Sequence, residues 1–323
     1  MWRLLGRKVL HLIPVLFLVT FATTAMPEMM KLGDSSKTPV AAKLTPDMTP
    51  ADVKALEKEY GYDKPLFERY TDWVGDALTG DLGKSIATDQ PVMESIKERY
   101  PATLELAVTA LLIALLVAVP LGVWSAAKAG RLPDKIMGGM SSALLAVPPF
   151  ISSVLLVYLF AAPGTLGQVF PNTGWAKFSE DPGGNIEYLM LPAIVLALAE
   201  IPQFLRLLRS DMLGTLQEDY ILTARSKGLS TPYVLFRHAL RPSSFSLITI
   251  SGLTLGRLIG GTVIVEVYFS IPGLGQSIVG AIQANNDVPV VQGTVVVIAV
   301  GYVLLNALVD IGYMLIDPRV RAR

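Results

Sequence analysis

Polarity along the chain falls in long blocks. Apolar stretches cover residues 9–26, 102–127, 136–162, 189–208, 245–268 and 293–316, with polar segments between them. An α-helix of about 20 residues crosses the roughly 30 Å of bilayer hydrocarbon. The pattern therefore predicts six membrane-spanning helices, an all-α polytopic architecture whose core is the helix bundle itself. Pro148-Pro149 near the middle of the third stretch predicts a kink.

The polar segments carry a shorter periodicity. Residues 31–99 hold thirteen acidic and ten basic side chains. Thr49-Pro50-Ala51-Asp52 opens an amphipathic helix with Val53, Leu56 and Tyr60 on one side, and Gly61 ends it. A second helix is predicted over 65–78, with Leu66, Phe67, Tyr70 and Trp73/Val74 on its apolar face. A third is predicted over 92–99, ending at Pro101. After the fifth stretch, Ile271-Pro272-Gly273-Leu274-Gly275 predicts a tight turn before a short helix. Gly252, Gly256 and Gly260 recur every four residues and place one small face along the fifth helix. That face suits either internal packing or a two-fold partner.

One polar segment, 219–242, has more order than a connector needs. Tyr220 to Lys227 suit a turn or two of helix, and Gly228 can end them with positive φ. Pro232 then opens a second short helix, and Arg241-Pro242 leads back into the membrane. A helix–glycine–helix knob of this kind reads as a docking surface.

Charge assigns the sides. Arg3, Arg7 and Lys8 precede the first stretch; Lys128, Arg131 and Lys135 follow the second. Arg206 and Arg209 close the fourth, and three arginines lie in the tail after Asp317. A Lys/Arg excess marks cytoplasmic segments, so both termini and the 219–242 loop are expected inside and 31–99 outside. The first stretch also resembles a secretory signal, but its length favours an uncleaved helix. The composition agrees with a membrane protein: 52% hydrophobic, 17% charged, mean hydropathy +0.50. Net charge of zero argues against a nucleic-acid partner.

Little in the chain suggests catalysis. With no cysteine, disulfides, thiol nucleophiles and cysteine metal sites are excluded, and His11 and His238 are too few for a histidine metal site. No metal site is expected. Gly80-Asp81-Leu82-Gly83-Lys84-Ser85 has the Gly-Lys-Ser of a phosphate-binding loop, but Leu78 stands where the motif needs its first glycine. Charges inside the membrane are costly and face the bundle interior or a water-filled path. Arg257, Glu200, Glu266 and Asp310 are therefore either interhelical pairs or groups lining a translocation pathway; Arg257, Glu200 and Glu266 are the pathway candidates.

At 219–242 the sequence meets a family pattern. Asp219-Tyr220-Ile221-Leu222-Thr223-Ala224-Arg225-Ser226-Lys227-Gly228 and Arg237-His238-Ala239-Leu240-Arg241 resemble the cytoplasmic loop of bacterial ATP-binding-cassette importer permeases. The likeness is to their dipeptide, oligopeptide and nickel branch. The chain departs from the general Glu-Ala-Ala pattern by having Leu222 and Thr223 before Ala224. Tyr62 to Leu66, Gly80 to Ser85, Pro101 to Leu106, Phe269 to Gly275 and Asp317 to Arg321 also look like that branch.

The resemblance implies a type I importer permease fold and a non-catalytic subunit of the bacterial plasma (inner) membrane. It divides the chain into a first helix (1–30), an external segment (31–100), a transmembrane core (101–316) containing the cytoplasmic loop 209–242, and a tail (317–323). It implies a second homologous permease, two cytoplasmic ATPases that carry the ATP and Mg, an external substrate-binding protein, and a peptide as cargo. No cofactor is expected in this chain. ATPase coupling would fall to Asp219, Tyr220, Thr223, Ala224, Arg225, Lys227, Gly228, Arg237, His238 and Leu240. Nickel or another small solute is the alternative cargo, and a stand-alone channel or membrane enzyme is the alternative class.

Overall fold

A computed structural model of the chain describes residues 2–33, 38–161, 169–283 and 287–316. The side chains of His11 and Asp310 and the basic tail lie outside the described residues. Helices dominate: α1 (Trp2–Thr24), α2 (Met26–Gly33), α3 (Pro50–Glu59), α4 (Leu66–Leu78), α5 (Val92–Ala127), α6 (Leu132–Ala146), α7 (Pro149–Phe160) and α8 (Pro182–Thr215) come first. They are followed by α9 (Asp219–Ser226), α10 (Thr231–Tyr233), α11 (Leu240–Gly261), α12 (Val263–Phe269), α13 (Leu274–Gln283) and α14 (Val288–Ile316). Among the described residues β pairing is confined to a bridge between Lys84 and Pro91.

Among the described residues four helices are long and apolar enough to cross a membrane: Val92–Ala127, Pro182–Thr215, Thr231–Gly261 and Val288–Val309. The pairs α6–α7 and α12–α13 bring the number to six if each counts as one bent span, and Ile13–Thr24 is a shorter apolar helix.

Several boundaries differ from the sequence expectation. The third apolar stretch is broken rather than kinked, since α6 and α7 meet at 104°. Val147 precedes one proline and Pro148 precedes another. Proline disfavours helical backbone in the residue before it, and both are extended, at φ −93°, ψ 116° and φ −62°, ψ 146°. Pro101, expected to end a helix, lies inside α5. Ile96 before it and Leu106 after it are both buried, and their burial outweighs one missing hydrogen bond. The fifth stretch divides at Thr262, just after Gly260-Gly261. Phe67 is exposed rather than on the packed face of α4.

The chain forms two compact units. The first comprises Met1–Thr103 and Pro272–Val303. Its apolar core gathers Leu82, Val92, Ile96, Leu274, Ala281, Val290 and Val291. Thr49 and Asp52 form a capping box at the start of α3, where the helix was expected to open. Tyr70 of α4 meets Phe17 and Phe21 of α1 edge-on, and Arg69 pairs with Glu28. The Gly80–Ser85 segment serves structure: Ser85 Oγ and the backbone N–H groups of Ile86 and Ala87 all donate to the buried carboxylate of Asp287. This arrangement ties the segment to the start of α14.

The second unit comprises Leu104–Ile271 and Leu304–Arg323. Its centre is α8, which packs against α6, α7, α11 and α12. Phe204, Leu208 and Met212 of α8 are fully buried beside Ala114, Ala118 and Val123 of α5. The small face of α11 is used internally at Gly252, where a Cβ would collide with Val309 of α14.

Candidate coupling surface and intramembrane charges

The 219–242 segment hangs from the second unit by a short apolar seam. On α9, Ile221 and Ala224 sit one helical turn apart and are buried; Val234, Leu235 and Ala239 join them from the next helix. All five pack into the cluster that contains Phe204, Leu208 and Met212 of α8. Gly228 follows the helix cap Lys227 at φ +78°, as expected for a left-handed stop, and Pro232 opens α10. Val234–Ala239 then forms a π-helical turn, and the helix continues without interruption into α11. The expected second short helix and the re-entry at Arg241-Pro242 are therefore one helix. Pro242 removes the N–H that would bond the His238 carbonyl, and the widened turn lies just upstream of it.

The opposite side of this segment is open. Leu222 and Phe236 are each 57% exposed, and Tyr220, Leu229 and Tyr233 are exposed with them. Arg225, Lys227, Arg237 and Arg241 surround these apolar groups, and no carboxylate among the described residues pairs with them. Partial burial, with Glu218 adding, raises the Tyr220 hydroxyl above its ordinary value. The result is an exposed patch that mixes apolar and cationic groups.

The ten residues implied by the family pattern divide accordingly. Asp219, Tyr220, Thr223, Arg225, Lys227, Gly228 and Arg237 are on the exposed side. Ala224 is buried and Leu240 packs against the core cluster, so these two anchor the segment. His238 is half-buried on the π turn, its ring 5.5 Å from that of Tyr233, and its Nε2 is buried without a hydrogen-bond partner among the described residues. Sequence reading missed Leu222, Leu229, Tyr233 and Phe236 as surface groups. The available signal was helical spacing: Leu222 lies off the Ile221–Ala224 face of α9, and Tyr233 and Phe236 stand three residues apart in the next helix.

The pathway candidates separate into two sites. Arg257 of α11 donates to Glu200 of α8 at 2.6 Å, joining the two helices. The pair is lopsided, with the Arg257 side chain 54% exposed and that of Glu200 6%. Glu266 is buried on α12 and accepts from Thr262 Oγ1 at 2.7 Å. A further ionic cluster escaped the sequence reading. Asp134 of α6 takes both arms of Arg209, at 2.5 and 2.7 Å, and also accepts from Ser125 Oγ and the Gly130 N–H. Its signal was an acidic residue at a helix start within an otherwise basic loop.

The chain is similar to several known proteins. Residues 118–322 match the family described as the binding-protein-dependent transport system inner membrane component. A Brucella abortus protein provisionally named a peptide transport system permease is 39% identical over 99% of both chains. The dipeptide transport system permease protein DppB of Lactococcus lactis is 36% identical over 96% of both. DppB of Escherichia coli is 36% identical over 85% of this chain and 86% of its own. Among solved structures, the inward-facing MetNI methionine ABC transporter aligns over 70% of this chain and 97% of its own, with a TM-score of 0.55 and 15% identity. At that identity the likeness shows the fold alone. The family match covers well over half of the sequence, and the full-length relatives lie above 30% identity: the chain belongs to the family of binding-protein-dependent transport system inner membrane components.

Proposed function

We propose that this chain is a permease subunit of an ATP-driven importer of di- and oligopeptides in a bacterial inner membrane, working with a second permease, two cytoplasmic ATPases and an external receptor. The observation that carries the reading is the exposed apolar and cationic face of 219–242, fixed to α8 by five buried side chains. A segment so anchored moves with the bundle. A cytoplasmic ATPase that grips its outer face can then transmit closure to the spans as a rigid-body displacement. Arg225, Lys227 and Arg237 suit acidic residues of the ATPase cleft, and Leu222 and Phe236 suit an apolar pocket. The names of the relatives support peptides as cargo.

The surface is tested by co-purification. Leu222→Asp should lower recovery of ATPase subunits with the chain by about tenfold, the effect of losing one well-buried interface anchor. Leu222 is exposed, so folding should be unaffected. Undiminished recovery, or solute flux by the chain with no ATPase present, would sink the importer reading.

A further inference from the structure

A second feature of the bundle is unexplained by the coupling surface. Between α6 and α8 lies a cavity of about 470 Å³ lined by Asp134, Lys135, Gly138, Ser142, Arg206 and Arg209, with Leu205. That volume falls within the range of small-molecule sites. Three cations face one carboxylate, and that carboxylate is already held by Arg209, Ser125 and the Gly130 N–H. Arg209 is thereby immobilised and largely neutralised. Lys135 and Arg206 remain, and among the described residues no carboxylate pairs with either.

The placement is more specific than topology requires. Basic residues near the inner ends of spans orient a membrane protein wherever they point. Here Arg206 Nη2 donates to Ser142 Oγ at 2.7 Å, which holds its guanidinium over the cavity. A Cβ at Gly138 would meet nothing within 4 Å, so the floor beneath is open. The flanking faces are polar as well as exposed. Lys135, Gly138 and Ser142 recur at i, i+3 and i+7 on α6, and Gln203, Arg206 and Ser210 do the same on α8. Rows with so few apolar side chains are poor surfaces for acyl chains and suit a water-filled path.

The geometry points to an anion site between α6 and α8 that takes a soluble carboxylate, with Arg206 as its recognising arm and Lys135 as its second charge. A guanidinium accepts a carboxylate through two parallel hydrogen bonds, and Ser142 presets its orientation. The assignment deepens the importer reading and rests on it: the carboxylate that passes this point is the C-terminal group of a peptide cargo. Asp134 acts as a positioning residue, since it fixes Arg209 at the wall of the cavity.

The test uses the full chain, purified with its co-expressed partner subunits but without the receptor, in phosphatidylcholine nanodiscs. N-acetyl-alanyl-alanine is titrated against its C-terminal amide, and the thermal unfolding midpoint is read. The free acid should raise the midpoint and the amide should not. Arg206→Gln should weaken the apparent affinity for the acid by about tenfold or more, as expected for loss of a charge-assisted hydrogen bond, and Lys135→Gln should weaken it less. Equal response to acid and amide, an unchanged response in Arg206→Gln, or no response in the wild type would overturn the site. A midpoint that rises only when phosphatidylglycerol is included would assign the cavity to a lipid headgroup and overturn the soluble carboxylate. ATP-dependent uptake by the wild-type complex, measured in parallel, separates failure of this site from failure of the importer reading.

Discussion

At the scale of single residues, the intramembrane charges show how burial decides the meaning of an ion pair. Arg257 and Glu200 meet at 2.6 Å, but only Glu200 is enclosed. Removal of the two partners should therefore have unequal effects. Arg257→Ala strands a buried carboxylate and should cost about 3 kcal/mol. Glu200→Ala leaves a half-exposed guanidinium, which on a water-filled path stays hydrated, and should cost about 1 kcal/mol or less. Thermal unfolding of the two variants in detergent checks the order, and the reverse order would contradict it. The sequence identified these residues as costly but could not pair them, because the partners lie 57 positions apart and periodicity fixes a face, not a neighbour. Asp134 was harder still. Its importance comes from Arg209, 75 positions away, and nothing in its own surroundings announces that contact.

At the scale of elements, local rules were legible where one residue type forces one backbone conformation. Thr49 and Asp52 cap α3, Gly228 stops α9, and Pro232 opens α10, each as its chemistry requires. Rules that depend on competition were less readable. Pro148-Pro149 was legible as an irregularity, but its size follows from two consecutive pre-proline positions adopting extended backbone. Pro101 breaks nothing, because core contacts on both sides hold α5 continuous. Gly228 offers a direct check. Its Cβ position is open, so the penalty for a side chain there is conformational alone. Gly228→Ala should destabilise the stop of α9 by about 1 kcal/mol, read as amide exchange in α9 about fivefold faster. Gly228→Asn, whose side chain tolerates left-handed backbone, should stay close to the wild type. Identical exchange in all three chains would show that the stop does not depend on positive φ.

At the scale of the whole molecule, hydropathy blocks and loop charge were enough to read an all-helical membrane protein, since those signals are summed over many residues. The helix–glycine–helix form of 219–242 was also legible, but which of its faces is buried was not. The structure buries Ala224 and packs Leu240 inward, while it turns Leu222, Tyr233 and Phe236 outward. This division makes the segment a rigid extension of α8 with an open outer face, and its proposed role is to couple ATP hydrolysis to movement of the spans. The most direct measurement is the ratio of substrate taken up to ATP hydrolysed by the reconstituted complex carrying Arg225→Glu and Lys227→Glu. Both side chains are exposed, so insertion and folding should be unchanged. Uptake should fall about tenfold or more, the effect of opposing like charges in place of paired ones, while hydrolysis persists. Uptake per ATP equal to that of the wild type would contradict it.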